Sequence, residues 1–340
     1  MEILEVIEKL TACPGTPGTE SEAAETAEKY LKQYGKTHAD KLGNLICEID
    51  GEESGILLDA HIDRVGLIVT SITAEGFLHI AACGGIDERT LSAQQVTVHG
   101  EKKIKGVIIS VPPHLQKADE DRKTPKFDDL LVDIGMDYEK ALKAVQPGDR
   151  ITVDSGFLHL AGDRIASPAL DDRCGMAAIL YALDILKDKG CKRKITAVFS
   201  TREEVGGSGA KVASYNADAE EFVAVDVSFA KTPDSKPENC GLLGCGPMIG
   251  YAASLDKEVS DKLKRLATEK DIPHQLEIMG GRTGTNADSM SISGHGYRSG
   301  LVSIPLRYMH TGVEVISVED VKNTGRLLAE YILDGGVFNA

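Results

Sequence analysis

Apolar residues at Ile3, Leu4, Ile7 and Leu10 recur every three to four positions, which predicts an amphipathic helix at the start of the chain. A second helix is expected from Ser21 through Tyr30 and Tyr34 until Gly35 stops it. The spacing then changes. NLICEI (44–49) and GILLDAH (55–61) are short, apolar and partly β-branched, as buried strands are. Further on, CGMAAILYALDILK (174–187) is apolar on most sides of a helix and is followed by a strand at KITAVFST (194–201), a helix near 208–215 and a strand at FVAVDV (222–227). A helix near 257–269, strands at HQLEI (274–278) and GLVSIPLRY (300–308), and a closing helix from Val318 to Leu333 complete the alternation. Helices alternating with strands imply a layered α/β domain around a largely parallel sheet.

The middle of the chain reads differently. LIVTSI, FLHIAAC, QQVTVHG, KIKGVIISV, LLVDIG and DRITVD are strand-like and separated by turn signals, and only DYEKALKAV (137–145) is helical. A β-rich block between two α/β pieces is the pattern of a domain inserted at an exposed connection. The organisation expected is therefore a first catalytic part at 1–66, an inserted β-rich domain at 67–162 and a second catalytic part at 163–340. The polar stretch 112–126 reads as a loop.

Composition narrows the function. With 340 residues, 38 basic against 53 acidic side chains and a formal charge of −15, the chain repels nucleic acid and anionic lipid unless a basic patch reverses the field. The densest basic cluster, Lys102, Lys103 and Lys105, follows Glu101 and reads as a solvated strand face. No segment approaches the apolar length of a membrane span, and the N-terminus lacks the pattern of an export signal. Seven cysteines without a Cys-x-x-Cys pair point to free thiols in a reducing cytoplasm, including Cys240 and Cys245 in CGLLGC.

Five features can carry chemistry. His61 and Asp63, two apart at a strand end, address the same side, and a carboxylate commonly orients a metal-ligating histidine. Asp171 and Asp172 open the long apolar helix; they serve equally as helix caps or as carboxylates whose two oxygens reach different cations. Glu203 and Glu204 end an apolar strand, where adjacent negative charges need compensation unless the pair is simply solvated. Asp226 sits inside an apolar strand, and an ionised carboxylate there requires a partner. His310 follows another apolar strand, where a lone histidine can also be a hydrogen-bonded structural residue. Taken singly, each has an ordinary structural explanation. Together, four of the five lie at the C-terminal ends of expected strands, where ligands gather in open α/β sheets, and the fifth begins a helix after a strand. Oxygen and imidazole donors of this kind suit paired zinc, cobalt or manganese ions.

The segments AHIDRVG (60–66), GGIDERTLSAQQVTVHG (84–100), LDDRCG (170–175), TREEVGGSGA (201–210), AVDVS (224–228) and RYMHTGVE (307–314) resemble, in order and spacing, the tetrahedral aminopeptidases. This is family forty-two of the metallopeptidases, which includes glutamyl aminopeptidases and proteins once labelled cellulases. The resemblance implies a layered α/β dinuclear metallopeptidase domain with an inserted barrel or PDZ-like dimerisation domain. It implies that His61, Asp171 and Asp226 bind one divalent metal ion and Asp171, Glu204 and His310 the other, with zinc the first expectation and cobalt or manganese the alternatives. Asp63 would orient His61, and Glu203 would act as general base toward a water bridging the ions. Short peptides would be cut at the N-terminus by a cytoplasmic enzyme that self-associates through the inserted domain into a dodecamer. Two positions depart from the family: Arg64 stands where glutamate is usual and Asn286 where aspartate is common.

Three other readings compete. A glycoside hydrolase needs two carboxyls on opposite sides of a sugar, about 5 to 9.5 Å apart, which adjacent glutamates do not supply. The chain also lacks tryptophan for sugar stacking. A non-catalytic shell-forming scaffold would not need the full ligand set. A related dinuclear deacylase or carboxypeptidase would share the catalytic domain, and only the resemblance sets the aminopeptidase above it.

Overall fold

The computed structural model describes residues 1–109, 125–236, 238 and 240–337. Most of the polar stretch expected to be a loop at 112–126 lies outside the described residues.

The first part of the chain folds as α1 (Ile3–Thr11), α2 (Ser21–Leu31), β1 (Lys36–Ala39), β2 (Leu45–Ile49) and β3 (Glu53–His61). Six strands follow: β4 (Gly66–Ile72), β5 (Leu78–Cys83), β6 (Gln95–His99), β7 (Lys103–Ile109), β8 (Leu131–Asp133) and β9 (Arg150–Val153), with α3 (Tyr138–Ala144) between the last two. They close into an antiparallel barrel in the order β4, β5, β8, β7, β6, β9. Val69, Val96, Val98, Ile108, Val132 and Ile151 fill the barrel interior. Alternate residues point inward along each strand, so the barrel has its own core.

The chain leaves the barrel through β10 (Leu158–His159) and β11 (Arg164–Ser167). It continues as α4 (Leu170–Lys189), β12 (Arg193–Ser200), α5 (Ser208–Asn216), β13 (Glu221–Phe229), β14 (Met248–Ala252), α6 (Lys257–Glu269), β15 (Gln275–Met279), α7 (Asn286–Met290), β16 (Arg298–Leu306), β17 (Glu314–Ser317) and α8 (Val318–Leu333). The main sheet runs β1, β2, β12, β3, β13, β16, β14, β15. Its central four strands are parallel, whereas β2 pairs antiparallel with β12 and β14 antiparallel with β16. The sheet is therefore mixed at its flanks rather than largely parallel throughout. A small antiparallel sheet of β10, β11 and β17 adjoins the end of β16 through a bridge between Arg307 and Val315.

Both faces of the main sheet are covered, which is why the consecutive residues Ile56, Leu57 and Leu58 of β3 are all apolar rather than alternating. Ile56, Leu58 and Ala60 face the principal core, built with α1, α2, α4, α6 and α8. Leu57 faces a smaller core with Ala210 and Ala213 of α5 and Ala287 and Met290 of α7. Helix α4 is buried around most of its circumference. It can lie close to α8 because Gly325 has no side chain: a Cβ there would stand 2.7 Å from the Ala178 carbonyl oxygen. All seven cysteines are free thiols. Among the described residues, no helix is long and apolar enough to cross a membrane.

Candidate metal centre

The barrel begins five residues after β3 ends, so the chain departs just past His61 and Asp63 and returns shortly before Asp171. Parallel pairing of β12 and β13 with β3 then sets their C-terminal ends beside His61. Ser200 is in register with His61, so Glu203 and Glu204 emerge next to it, and β16 carries the chain to His310. Three ligand-bearing turns use left-handed backbone at non-glycine residues: Ala169 (φ 61°), Arg202 (φ 61°) and His310 itself (φ 62°). Such conformations cost of order 1–3 kcal/mol and persist where the surroundings over-determine them.

Asp171 and Asp172 divide the roles that the sequence left open between them. Asp172 Oδ1 accepts the Gly175 N–H at 3.2 Å and caps the helix. Asp171 has non-helical backbone, joined to Asp172 by a cis peptide, and its carboxylate is free to face the cavity. Its Oδ1 lies 2.9 Å from His61 Nε2, and its Oδ2 lies 3.3 Å from His310 Nε2. His310 Nε2 is also 3.3 Å from Glu204 Oε2, and His61 Nε2 is 3.9 Å from Asp226 Oδ1. Two triads result, His61 with Asp171 and Asp226, and Asp171 with Glu204 and His310, each with its ligand atoms within 4.8 Å of one another. Asp171 is common to both.

The supporting contacts fix the rings. His61 Nδ1 faces the Asp63 carbonyl oxygen at 3.0 Å, and His310 Nδ1 faces the Gly85 carbonyl oxygen at 3.1 Å. A carbonyl oxygen only accepts, so Nδ1 carries the proton in each ring and Nε2 is directed at the carboxylates. Gly85 comes from the barrel block, so the inserted strands help to orient a residue of the α/β part. The Asp63 side chain does something the sequence did not suggest. Its two oxygens accept the backbone N–H groups of Glu203 and Glu204, at 3.0 and 3.2 Å, while its Oδ1 stands 3.7 Å from His61 Nδ1. The orienting contact to His61 is thus made by the Asp63 backbone, and the carboxylate holds the glutamate turn.

Glu314 was not singled out in the sequence. Its carboxylate accepts the backbone N–H of Asp171 at 3.1 Å and of His310 at 3.0 Å, tying the two halves of the cluster together. Its position in RYMHTGVE, inside a matched segment, was the one signal that could have drawn attention to it. The two departures lie outside the cluster. Asn286 donates from Nδ2 to Asp59 Oδ2 and Ser200 Oγ, both at 2.8 Å, beneath the sheet end. Arg64 lines a separate cavity.

Crowding of buried acids shows in their proton affinities. Burial, then the Asp171 charge, pushes Glu204 well above the carboxylate range, and burial with the charges of Glu203 and Asp171 does the same to Asp226. Burial, then Asp171 and Asp63, raises Glu203 to about 7. Burial would also raise Asp171, but hydrogen bonds from His310 and His61 hold it below its ordinary value. His61 is pushed down by burial yet held well above its usual value by Asp171. Glu204 Oε1 is buried with no hydrogen-bond partner among the described residues. An excess of carboxylates, two imidazoles presenting Nε2 and an orphaned carboxylate oxygen fit divalent cations of the zinc type. The cluster opens into a cavity of about 850 Å³ that Glu277, Met279, Arg282 and Ile292 also line.

This fold and donor set define a class, hydrolases that work at a carboxylate–imidazole centre beyond the strand ends of an α/β sheet. The profile of the M42 glutamyl aminopeptidase family matches residues 43–327, and the chain belongs to that family. It is 35% identical over 294 residues to the lysyl aminopeptidase of Pyrococcus furiosus, covering 85% of this chain and 84% of that one. Among solved structures, it is similar to the TET aminopeptidase of Thaumarchaeota archaeon SCGC AB-539-E09 (TM-score 0.94, 29% identity, 99% and 97% of the two chains). It is also similar to the TET1 peptidase of Pyrococcus horikoshii (TM-score 0.86, 31% identity, 98% and 100%), a protein that can assemble into a tetrahedron or a large octahedral shell. The chain is accordingly a peptide hydrolase of the aminopeptidase kind, in a family that uses divalent metal.

Proposed function

We propose that the chain is a dinuclear metal-dependent aminopeptidase that removes N-terminal residues from short peptides. His61, Asp171 and Asp226 would hold one cation and Asp171, Glu204 and His310 the other, zinc first and cobalt or manganese as substitutes. The observation that carries this reading is Asp171, whose two oxygens face two different histidines at 2.9 and 3.3 Å. When bound, a pair of divalent cations lowers the pKa of water and polarises the scissile carbonyl.

The rest of the chemistry belongs to side chains. Glu203 is outside both triads, lines the same cavity and has a proton affinity near neutrality, as a general base requires. It takes a proton from the attacking water, the water oxygen bonds to the carbonyl carbon, and the proton passes to the amine nitrogen as the peptide C–N bond breaks. Asp63 keeps Glu203 and Glu204 aimed by accepting their backbone N–H groups. The P. horikoshii relative's ability to form a tetrahedron supports assembly of this chain into a dodecamer through a domain at 67–162. The negative charge and free cysteines favour a cytoplasmic enzyme that binds neither nucleic acid nor membrane.

Replacing Glu203 with Gln keeps the side-chain shape and removes the base. Turnover of an aminoacyl chromogenic substrate should fall by about 10²- to 10⁴-fold while metal content is unchanged. Loss of metal in step with activity would make Glu203 a ligand and refute its assignment as base.

A further inference from the structure

Behind the metal centre, where the barrel meets the N-terminal segment, lies a second cavity of about 540 Å³. It shares no lining residue with the first. Its walls carry the basic residues Arg64, His99, Lys103 and Lys105 and the acidic residues Glu8 and Asp154, the last paired with Lys105. Arg64 is 6% exposed, and its Nε is fully buried without a hydrogen-bond partner. Among the described residues, no acceptor or carboxylate meets this guanidinium at hydrogen-bond or ion-pair distance. Glu314, Asp154 and Glu204 are near enough only to attract it.

A second buried guanidinium lies close by and is treated in the opposite way. Arg173 donates to the carbonyl oxygens of Leu10, Cys13, Pro14 and Ile62. Burial, and after it the neighbouring Arg64 charge, pulls Arg173 down to about 10. Two like charges are thus buried together, one satisfied and one not, and leaving such a group unsatisfied is costly. The other cations of the cavity are engaged at its rim: Lys103 pairs with Glu22, and Lys105 with Asp154 and Thr97. Among the described cations that line the cavity, Arg64 is the one left without a partner.

We propose that this cavity binds a small oxyanion of the sulfate or phosphate type, with Arg64 as its anchor. A tetrahedral oxyanion meets the guanidinium fork with charge-assisted hydrogen bonds and removes the repulsion between Arg64 and Arg173. His99, held half-buried with its Nε2 on Thr152 Oγ1, and the Ser155 hydroxyl line the same space and complete a polar wall.

The test is calorimetric titration of sodium sulfate into the metal-loaded protein, with sodium chloride holding ionic strength constant. One saturable sulfate per chain is expected, weakened about tenfold or more by Arg64→Leu, the loss that charge-assisted hydrogen bonds imply. Equal affinity in the variant, or no saturable binding to the unaltered protein, overturns the proposal. Binding that survives Arg64→Leu but disappears on metal removal belongs to the metal centre and also overturns it. Should Arg64→Leu fail to fold, crystals of the unaltered protein soaked in selenate decide the matter. Anomalous density within hydrogen-bond distance of the Arg64 guanidinium supports the site, and a cavity holding only water refutes it.

Discussion

Glu314 stands 143 positions beyond Asp171 in the chain, yet its Oε2 accepts the Asp171 backbone N–H at 3.1 Å. The other oxygen accepts the N–H of His310, so a single carboxylate sets the separation of two residues that face one another across the centre. Glutamine at 314 keeps one acceptor and turns an NH₂ toward the second N–H. Glu314→Gln should lower metal affinity or turnover by about 10- to 100-fold, as loss of an outer support does. Metal content after dialysis and steady-state kinetics check this, and unchanged values in both would remove Glu314 from the account.

Asp63 holds the turn that carries Glu203 and Glu204, and it does so with both oxygens. Asp63→Asn keeps one acceptor and turns its NH₂ toward the other backbone N–H. Turnover should fall by about 10- to 100-fold, with KM much less affected, because the base is misaimed rather than the substrate released. A raised KM at unchanged kcat would contradict the arrangement.

Metal loading should release protons. Burial pushes His310 down, but its hydrogen bond to Asp171 and the charges of Glu204 and Asp171 outweigh this and hold it near 9 when no cation is present. At pH 7.5 the empty site therefore carries a proton that a cation at Nε2 must displace. A group with a raised pKa competes more strongly as pH falls, so apparent affinity should climb from pH 6.5 and level off above about 9. Titration calorimetry of zinc into chelated protein, in two buffers of different ionisation enthalpy, should report net proton release at pH 7.5. Proton uptake, or affinity independent of pH between 6.5 and 8.5, would contradict it.

Arg173 binds the N-terminal segment to the strand end below His61 through four carbonyl oxygens. Arg173→Leu strips this donor from the Cys13, Pro14 and Ile62 carbonyl oxygens, whereas the Leu10 carbonyl oxygen keeps the Cys13 N–H. Unfolding free energy in urea should drop by about 3 kcal/mol or more, since each orphaned group costs about 1–3 kcal/mol. A change below about 1 kcal/mol would mean that the segment is held by its apolar contacts alone.

The elements were legible where one physical rule acts locally. The short, mainly apolar segments at 44–49, 55–61 and 194–201 became β2, β3 and β12, and the expected closing helix, Val318 to Leu333, is α8. Short or polar pieces were not legible. Strand β1, with the polar sequence KTHA, owes its existence to pairing with β2, and β17 to pairing with β11, and neither partner can be read from its own few residues. The antiparallel flanks of the main sheet depend on the same distant pairings. At the site, strand ends located His61, Glu203 and His310, because the sheet brings such ends together. Glu314 and Gly85 stayed hidden, because each acts through a backbone hydrogen bond to a residue far away in the chain. The division of labour between Asp171 and Asp172 was equally hidden, since a pair of aspartates before a helix looks the same whichever one caps it.

The central claim is that Asp171 is shared by two cations, and a metal count tests it most directly. Chelated protein reconstituted with zinc and analysed by native mass spectrometry should hold two ions per chain, and Asp171→Asn should hold fewer than one under the same conditions. A single ion in the unaltered chain, or two ions retained by Asp171→Asn, would contradict the account.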